Sequence, residues 1–250
     1  MPGFIGDSNK AKKLSKIYVG VGDKAKEVKS AFVGVNNKAK KVYSSGFSKN
    51  EFVLKLSVPY YSHSTSFIIK TCGAGKIDFG DGDVQSINDS SLTTRDHRYY
   101  GSNTTYYCKI SGNFTELKVG DGYQNHGIGV EVLTPLPASF SAITDYSGFF
   151  QKMTGLTAIC SDLFINCPNG TNFMNFANGC TALASIPEGL FDSCTNAQNF
   201  VGAFKDCTAI TSNVPELWDT TKWQNVNMNI GCFRNCTNAA NYNDIPSSWK

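Results

Sequence analysis

Leu183-Ala184-Ser185-Ile186-Pro187-Glu188-Gly189-Leu190-Phe191 begins a passage that ends at Asp206-Cys207-Thr208-Ala209. A matching passage stands 27 residues earlier, from Leu156-Thr157-Ala158-Ile159-Cys160 to Gly179-Cys180-Thr181-Ala182. A third copy runs from Ile210 to Asn235-Cys236-Thr237-Asn238-Ala239. Phe164, Phe191 and Trp218 are spaced by 27, as are Cys167 and Cys194, and Cys180 and Cys207. A weaker copy precedes them, with Tyr146 and Phe149-Phe150 in register and Leu136-Pro137 and Phe140 a few residues late. A truncated one, Ile245-Pro246 and Trp249, closes the chain. A period of this size means stacked units, each too small to bury its apolar face alone. Within each unit the Leu-Thr-x-Ile segment reads as a short strand, which Pro187 or Pro215 can follow because the strand ends there. Tyr146, Phe149 and Phe150 sit at i, i+3 and i+4, as do Phe173, Phe176 and Ala177, and Phe200, Ala203 and Phe204. That spacing predicts one apolar helical stripe per repeat. An array of this kind points to binding rather than to chemistry.

The cysteines follow the same beat. Of nine, Cys160, Cys167, Cys180, Cys194 and Cys207 keep the repeat. No pair has C-x₂-C spacing, and Cys232 with Cys236 lacks a second close pair to complete a zinc site. The reading is reduced, small core residues, each stacked on its equivalent in the next unit. Charged residues make up only 17% of the chain, which favours turns and short strands over long helices. Residues 1–50 hold eleven lysines against Asp7, Asp23 and Glu27, an excess of eight positive charges; with +3 overall, the remainder carries −5. Every basic residue in that segment is Lys, without the Arg fork that phosphate recognition favours, so solvated lysines protecting exposed strands are the expectation and nucleic acid is not. No secretory h-region follows Met1-Pro2-Gly3, and no apolar run is long enough to span a bilayer.

Moving back along the chain, Phe4-Ile5-Gly6, Tyr18-Val19-Gly20 and Phe32-Val33-Gly34 lie 14 residues apart. So do Lys10-Ala11-Lys12, Lys24-Ala25-Lys26 and Lys38-Ala39-Lys40. Each unit reads strand, tight turn, strand, with Gly22-Asp23 and Asn36-Asn37 at the turns. Ribbons this small need a partner, which makes residues 1–45 a docking segment. Ser44-Ser45-Gly46 and Ser48-Lys49-Asn50 form a linker. Strands are then expected at 52–58, 66–71, 76–79, 93–99 and 104–111. The turn clusters Gly73-Ala74-Gly75, Gly80-Asp81-Gly82 and Gly101-Ser102-Asn103 should separate them.

Three resemblances overlie this reading. The N-terminal pattern resembles the short YVGV…KAKKV repeats at the start of tail and fibre-type proteins of phages and prophages of Gram-positive gut bacteria. It implies a virion structural protein anchored through its N-terminus. Ile77-Asp78-Phe79-Gly80-Asp81-Gly82, then His97-Arg98-Tyr99, then Tyr106-Tyr107-Cys108-Lys109-Ile110-Ser111-Gly112 resemble a PKD-type Ig-like domain, with Ile77 where that family usually has Trp. This implies a spacer or adhesion module. Ala203-Phe204-Lys205-Asp206-Cys207-Thr208-Ala209-Ile210 and its copies resemble BspA-like leucine-rich repeats, although Ala177 replaces a usual Phe and Met153 the first Cys, and the copy after Ile210 is stretched. Members of that family bind host or bacterial surfaces.

No motif for catalysis emerges. Asp78-Phe79-Gly80 lacks the other kinase elements, and Asp78, Asp81 and Asp83 are not spaced as a D-x-D-x-D-G calcium loop, so an Asx-capped turn is expected. His63, His97 and His126 have no nucleophile motif around them, and His97 is read as a packed residue of the PKD-like pattern. Carboxylate pairing of the glycosidase kind is invisible in sequence. Tyr60-Tyr61, Tyr99-Tyr100 and Trp223 could stack sugars, but core or cross-strand packing is the expectation. Catalytic, cofactor-binding and metal residues are therefore none, ligand-binding residues are unknown, and no cofactor is expected. The fold expected is mainly β with short helices: N-terminal β-hairpin repeats at 1–46, an Ig/PKD-like β-sandwich at 47–112 and a leucine-rich-repeat solenoid at 113–250. The function expected is a non-enzymatic phage fibre, tail or head-decoration protein located in the virion. It docks on other virion proteins through residues 1–45, forms a homo-oligomer (a trimer is one option) and meets a host-surface protein or glycan, with no membrane partner. A BspA-like bacterial adhesin is the alternative, which calls for an export signal and wall anchor; a polysaccharide-acting enzyme ranks below it.

Overall fold

The computed structural model describes residues 47–59, 65–100, 103–120 and 127–250, and before them the backbone of four short strands. The chain divides into two compact units, Met1–Ser48 and Lys49–Lys250. In the first, β1 (Tyr18–Val21) pairs antiparallel with β2 (Lys24–Glu27), and β3 (Ser30–Val35) with β4 (Lys38–Ser44). Gly20 faces Ala25 and Gly34 faces Ala39, so the second and third 14-residue copies fold alike, as two-stranded ribbons. The first copy and both connecting turns lie outside the described residues.

The second unit begins with a sheet of six strands: β5 (Phe52–Val58), β6 (Thr65–Asp78), β7 (Val84–Tyr99), β8 (Thr104–Val119), β9 (Gly129–Val132) and β10 (Leu156–Ala158). Their spatial order is β10-β9-β5-β8-β6-β7, antiparallel throughout except for β9 with β10. The strands expected to form a two-layer sandwich thus lie in one mixed sheet, and β8 runs through residue 112. The reason sits in the glycines read as turns. Gly73, Gly75 and Gly112 are inside β6 and β8, where a Cβ would come within 2.4 Å of the Asn113 carbonyl, 2.3 Å of the Ser111 carbonyl and 2.4 Å of the Ala74 carbonyl respectively. They permit close backbone approach at a bulge rather than chain reversal. Register slips there on both sides of β6, at Thr71/Gly73 against β7 and Cys72/Gly73 against β8. The slip is clamped by charge: Arg95 holds Asp89 at 2.9 Å and donates to the hydroxyl of buried Thr71 at 3.1 Å, and that hydroxyl donates to Asp89 at 2.8 Å.

Beyond the sheet the chain contains no α-helix among the described residues, only three single 3₁₀ turns at 138–140, 242–244 and 247–249. The apolar i, i+3, i+4 stripes are real, but the backbone that carries them is a ribbon of consecutive turns. Phe149, Gln151 and Met153 donate their N–H to the carbonyls three residues before them, those of Tyr146, Gly148 and Phe150. The alternating N–H groups of Tyr146, Gly148, Phe150 and Lys152 instead cross to the next unit, donating to Asn172, Met174, Phe176 and Asn178 at 2.7–2.8 Å. Phe173, Asn175, Ala177 and Gly179 do the same towards Asn199, Val201, Ala203 and Lys205. An α-helix would consume all of these donors within itself; here half of them join neighbouring units. The ribbon closes this way because two residues per unit take left-handed φ. They are Gly148 and Lys152, Asn175 and Gly179, Gly202 and Asp206, then Gly231 and Asn235, with φ between 54° and 77°.

Inside, aromatic rings stack from unit to unit. Phe173 lies parallel to Tyr146 at 5.6 Å and to Phe200 at 5.2 Å, and Phe164 to Phe191 at 5.7 Å. Rings from the sheet join the same core, Phe52 against Phe149 at 6.1 Å and Phe114 against Phe140 at 5.4 Å. The thiols form a further column. Cys180, Cys207 and Cys236 are buried and unbridged, and donate to the carbonyls of Phe150, Ala177 and Phe204 at 3.1, 3.1 and 3.0 Å. A small, buried, weakly donating side chain suits a position facing the preceding unit's backbone. Burial pushes these thiols up, Cys236 to about 12.

Candidate functional site

The regular stacking breaks once, and a groove opens at the break. Ile186-Pro187-Glu188-Gly189-Leu190 is matched in the next unit by Val214-Pro215-Glu216-Leu217, one residue shorter in the turn. Further on, the distance from Asn199 to its bridge partner Met228 is 29 residues rather than the 27 separating Asn172 and Asn199, so two residues have been added. The extra length lies between Asp219 and Trp223. Val226 N–H donates to the Trp223 carbonyl as Ala197 N–H donates to that of Cys194, so Trp223 occupies the place of that cysteine. Its indole packs inward, edge-on to Phe200 at 6.1 Å, beside the position where the stacked phenylalanines give way to Asn229.

The groove has a volume of about 400 Å³ and is lined by residues 188–192 and 213–217 with Asp219, Lys222, Trp223 and Asn241. Asn241 ties down its floor, accepting from Val214 N–H at 2.9 Å and donating to the Val214 carbonyl at 3.0 Å. Lys222 spans from one unit to the other, with Nζ 2.6 Å from Asp192 Oδ1 and 5.4 Å from the Trp223 ring centre. Asp219 accepts from the Thr221 hydroxyl at 2.6 Å and its N–H at 2.9 Å, and these bonds hold its carboxyl below the usual range. Glu188, Asp192, Glu216 and Asp219 against Lys222 leave the lining acidic. Carboxylates, amides and one ammonium around an apolar floor of Leu190, Val214 and Leu217 suit a polar ligand held by several hydrogen bonds.

The residues singled out in the sequence fall elsewhere. Asp78, Asp81 and Asp83 do cap a turn: Asp78 Oδ1 accepts from Gly80 N–H at 3.0 Å, and Asp81 Oδ1 from Asp83 N–H at 3.1 Å. His97 reaches the same turn from β7, buried at 8% exposure, with Nε2 2.8 Å from Asp81 and Nδ1 3.1 Å from Asp83. Among the described residues, no group of three or more His, Cys, Asp or Glu side chains is placed to hold a metal ion. Of the aromatics, Tyr99 and Trp223 are core, at 1% and 6% exposure, while Tyr100 is 75% exposed. Tyr60, Tyr61, His63 and His126 lie outside the described residues. Nothing in the sequence reading marked Glu188, Asp192, Glu216, Asp219 and Lys222 as neighbours; the signal available was the broken period, 27 becoming 29. Comparison with protein-family models, with curated proteins and with solved structures finds no match to this chain.

Proposed function

We propose that this chain is a non-enzymatic virion protein of a bacteriophage. In this reading residues 1–45 dock it on the particle, the sheet acts as a spacer, and the repeats from about residue 133 form a leucine-rich-repeat-like solenoid that binds the host surface. The observation that carries it is the inter-unit ladder. Backbone N–H groups bond from unit to unit at a constant offset, giving a continuous surface of side chains in register. Such surfaces serve extended partners, because each repeat presents equivalent positions at regular spacing. The groove beside Trp223 is the one place where that regularity is interrupted around polar side chains, and it is assigned as the ligand site. The two ribbons of the first unit, lysine-rich and separate from the second, support its role as an anchor.

The test is binding of the purified full-length protein, fluorescently labelled, to intact bacteria of the culture in which the particle is produced. Saturable binding is expected, and Lys222→Glu together with Glu216→Lys should weaken it about ten-fold or more while thermal unfolding stays within a few degrees. Binding that is absent, or that both changes leave untouched, contradicts the assignment.

A further inference from the structure

We propose that His97 is carried as the imidazolium between two carboxylates, so that the turn joining β6 to β7 is clasped in mildly acidic solution and released when the ring loses a proton. The geometry leaves little choice. Nε2 is 2.8 Å from Asp81 Oδ2 and Nδ1 is 3.1 Å from Asp83 Oδ2. An ionised carboxylate only accepts, and a neutral imidazole has one N–H and one lone pair, so only the doubly protonated ring donates to both. The neutral ring would set its lone pair against a carboxylate oxygen on one side.

The surroundings favour the charged ring. Its side chain is 9% exposed, and one face lies on Phe79 at 4.0 Å with an interplanar angle of 10°, where the aromatic π-cloud attracts a cation. Tyr99 meets it edge-on at 4.6 Å, backed by Tyr106 of β8 at 4.7 Å from Tyr99, with the buried Cys108 thiol of β8 close by. From the turn, Asp78 lies 3.8 Å from Lys109 of β8, so that pair balances itself. From β6, Phe67 stands opposite His97 in register. From β7, Gln85 donates to the same Asp83 oxygen at 3.0 Å, and the exposed Asp96 and Arg98 sit 3.8 Å from each other. Asp81 and Asp83 are therefore left with His97 as their counter-charge.

Loss of the proton, between about pH 5 and pH 8 for an imidazole, removes one of the two donors. Asp83 is the partner released: its contact is the longer, its side chain is 44% exposed, and Gln85 already serves it. Phe79 stays anchored, since the Tyr99 hydroxyl donates to its carbonyl at 2.9 Å. The change is thus local to residues 80–83 and leaves the sheet intact.

The test follows ring nitrogens and turn amides by NMR on the full-length chain, with His97→Gln to assign the ring among the three histidines. Both His97 nitrogens should be protonated at about pH 5.5. On raising the pH through the ring's titration, the hydrogen-exchange protection factors of Gly80 and Asp83 should fall about five-fold, the equivalent of one hydrogen bond's net contribution. In His97→Gln, whose amide donates at any pH, that step should vanish; should this variant not fold, Asp83→Asn at the exposed end should shrink the step instead. A neutral His97 tautomer at pH 5.5, or a step that survives in the folded variant, overturns the proposal.

Discussion

Replacing Phe173 by Ala is the sharpest test of whether the repeats share one core. The ring is fully buried, stacked between Tyr146 and Phe200 and met edge-on by Phe164 at 5.3 Å and Phe191 at 4.9 Å. Truncation removes its transfer free energy and leaves a cavity between neighbours that cannot collapse, because each is fixed by the next unit. A loss of about 3–5 kcal/mol is expected, a large part of the ~5–15 kcal/mol that stabilises a typical domain. With a urea dependence of about 2–3 kcal/mol per molar, the midpoint should fall by roughly 1–2 M. The three tryptophans, Trp218, Trp223 and Trp249, all lie in the last units, so their fluorescence reports on a region beyond the substitution. Far-ultraviolet circular dichroism reports on the whole chain. If the stack is one cooperative core, fluorescence and dichroism should record the same lowered midpoint for the second unit. A loss below about 1 kcal/mol, or a fluorescence transition that stays at its wild-type midpoint, would refute the argument.

The left-handed positions give an opposed pair. Lys152 is the one long side chain among them, with φ 57°, so Lys152→Gly should raise stability by about 0.5–1 kcal/mol. Gly202→Val should lower it by more than about 2 kcal/mol, since φ is 59° and a Cβ would meet Asn175 Oδ1 at 2.6 Å; thermal melts of both variants check the signs. Among the nine cysteines, thiol labelling of the native protein at pH 8 should modify Cys72 and Cys160, the two not fully buried, and spare Cys194, whose thiol burial pushes up to about 12. Acid should loosen the β6 bulge. Arg95 beside Asp89 holds that carboxyl below its usual range, so its contribution is complete above the ordinary carboxylate range and disappears as pH falls through the depressed value. Asp89→Asn should therefore be less stable than wild type at neutral pH, and the gap should narrow on acidification, as urea titrations between pH 7 and about pH 3 will show.

The period of 27 was enough to place the core: the residues it aligned, from Phe164 to Cys207, are the ones buried and stacked. It did not disclose the backbone. Apolar residues at i, i+3 and i+4 arise equally from an α-helix and from turns with a left-handed residue every fourth position, because both bring those side chains to one side. The distinguishing mark was present at positions such as Gly148, Asn175 and Gly202, residue types that take positive φ cheaply, with Lys152 the exception that obscured the series. In the sheet, Gly73 and Gly75 carried an ambiguous message, since glycine serves a turn and a close strand crossing alike. His97 and the three aspartates were correctly read as a packed turn, but the two-sided contact depends on β7 bringing residue 97 back to residue 83, which pairing register alone determines. The groove was least legible of all. Its charged residues come from two units and meet only because a single turn is shortened and a single loop lengthened.

The central claim is that this chain belongs to a phage particle and is held there by its first 45 residues. Electron microscopy of purified particles carrying an epitope-tagged copy, alongside a copy lacking residues 1–45, tests it most directly. The account predicts antibody density at a defined place on the particle with the full chain, and none with the truncated chain despite equal expression. Density that survives the deletion would contradict the docking role, and tagged protein found on the bacterial surface with none on particles would contradict the virion assignment itself.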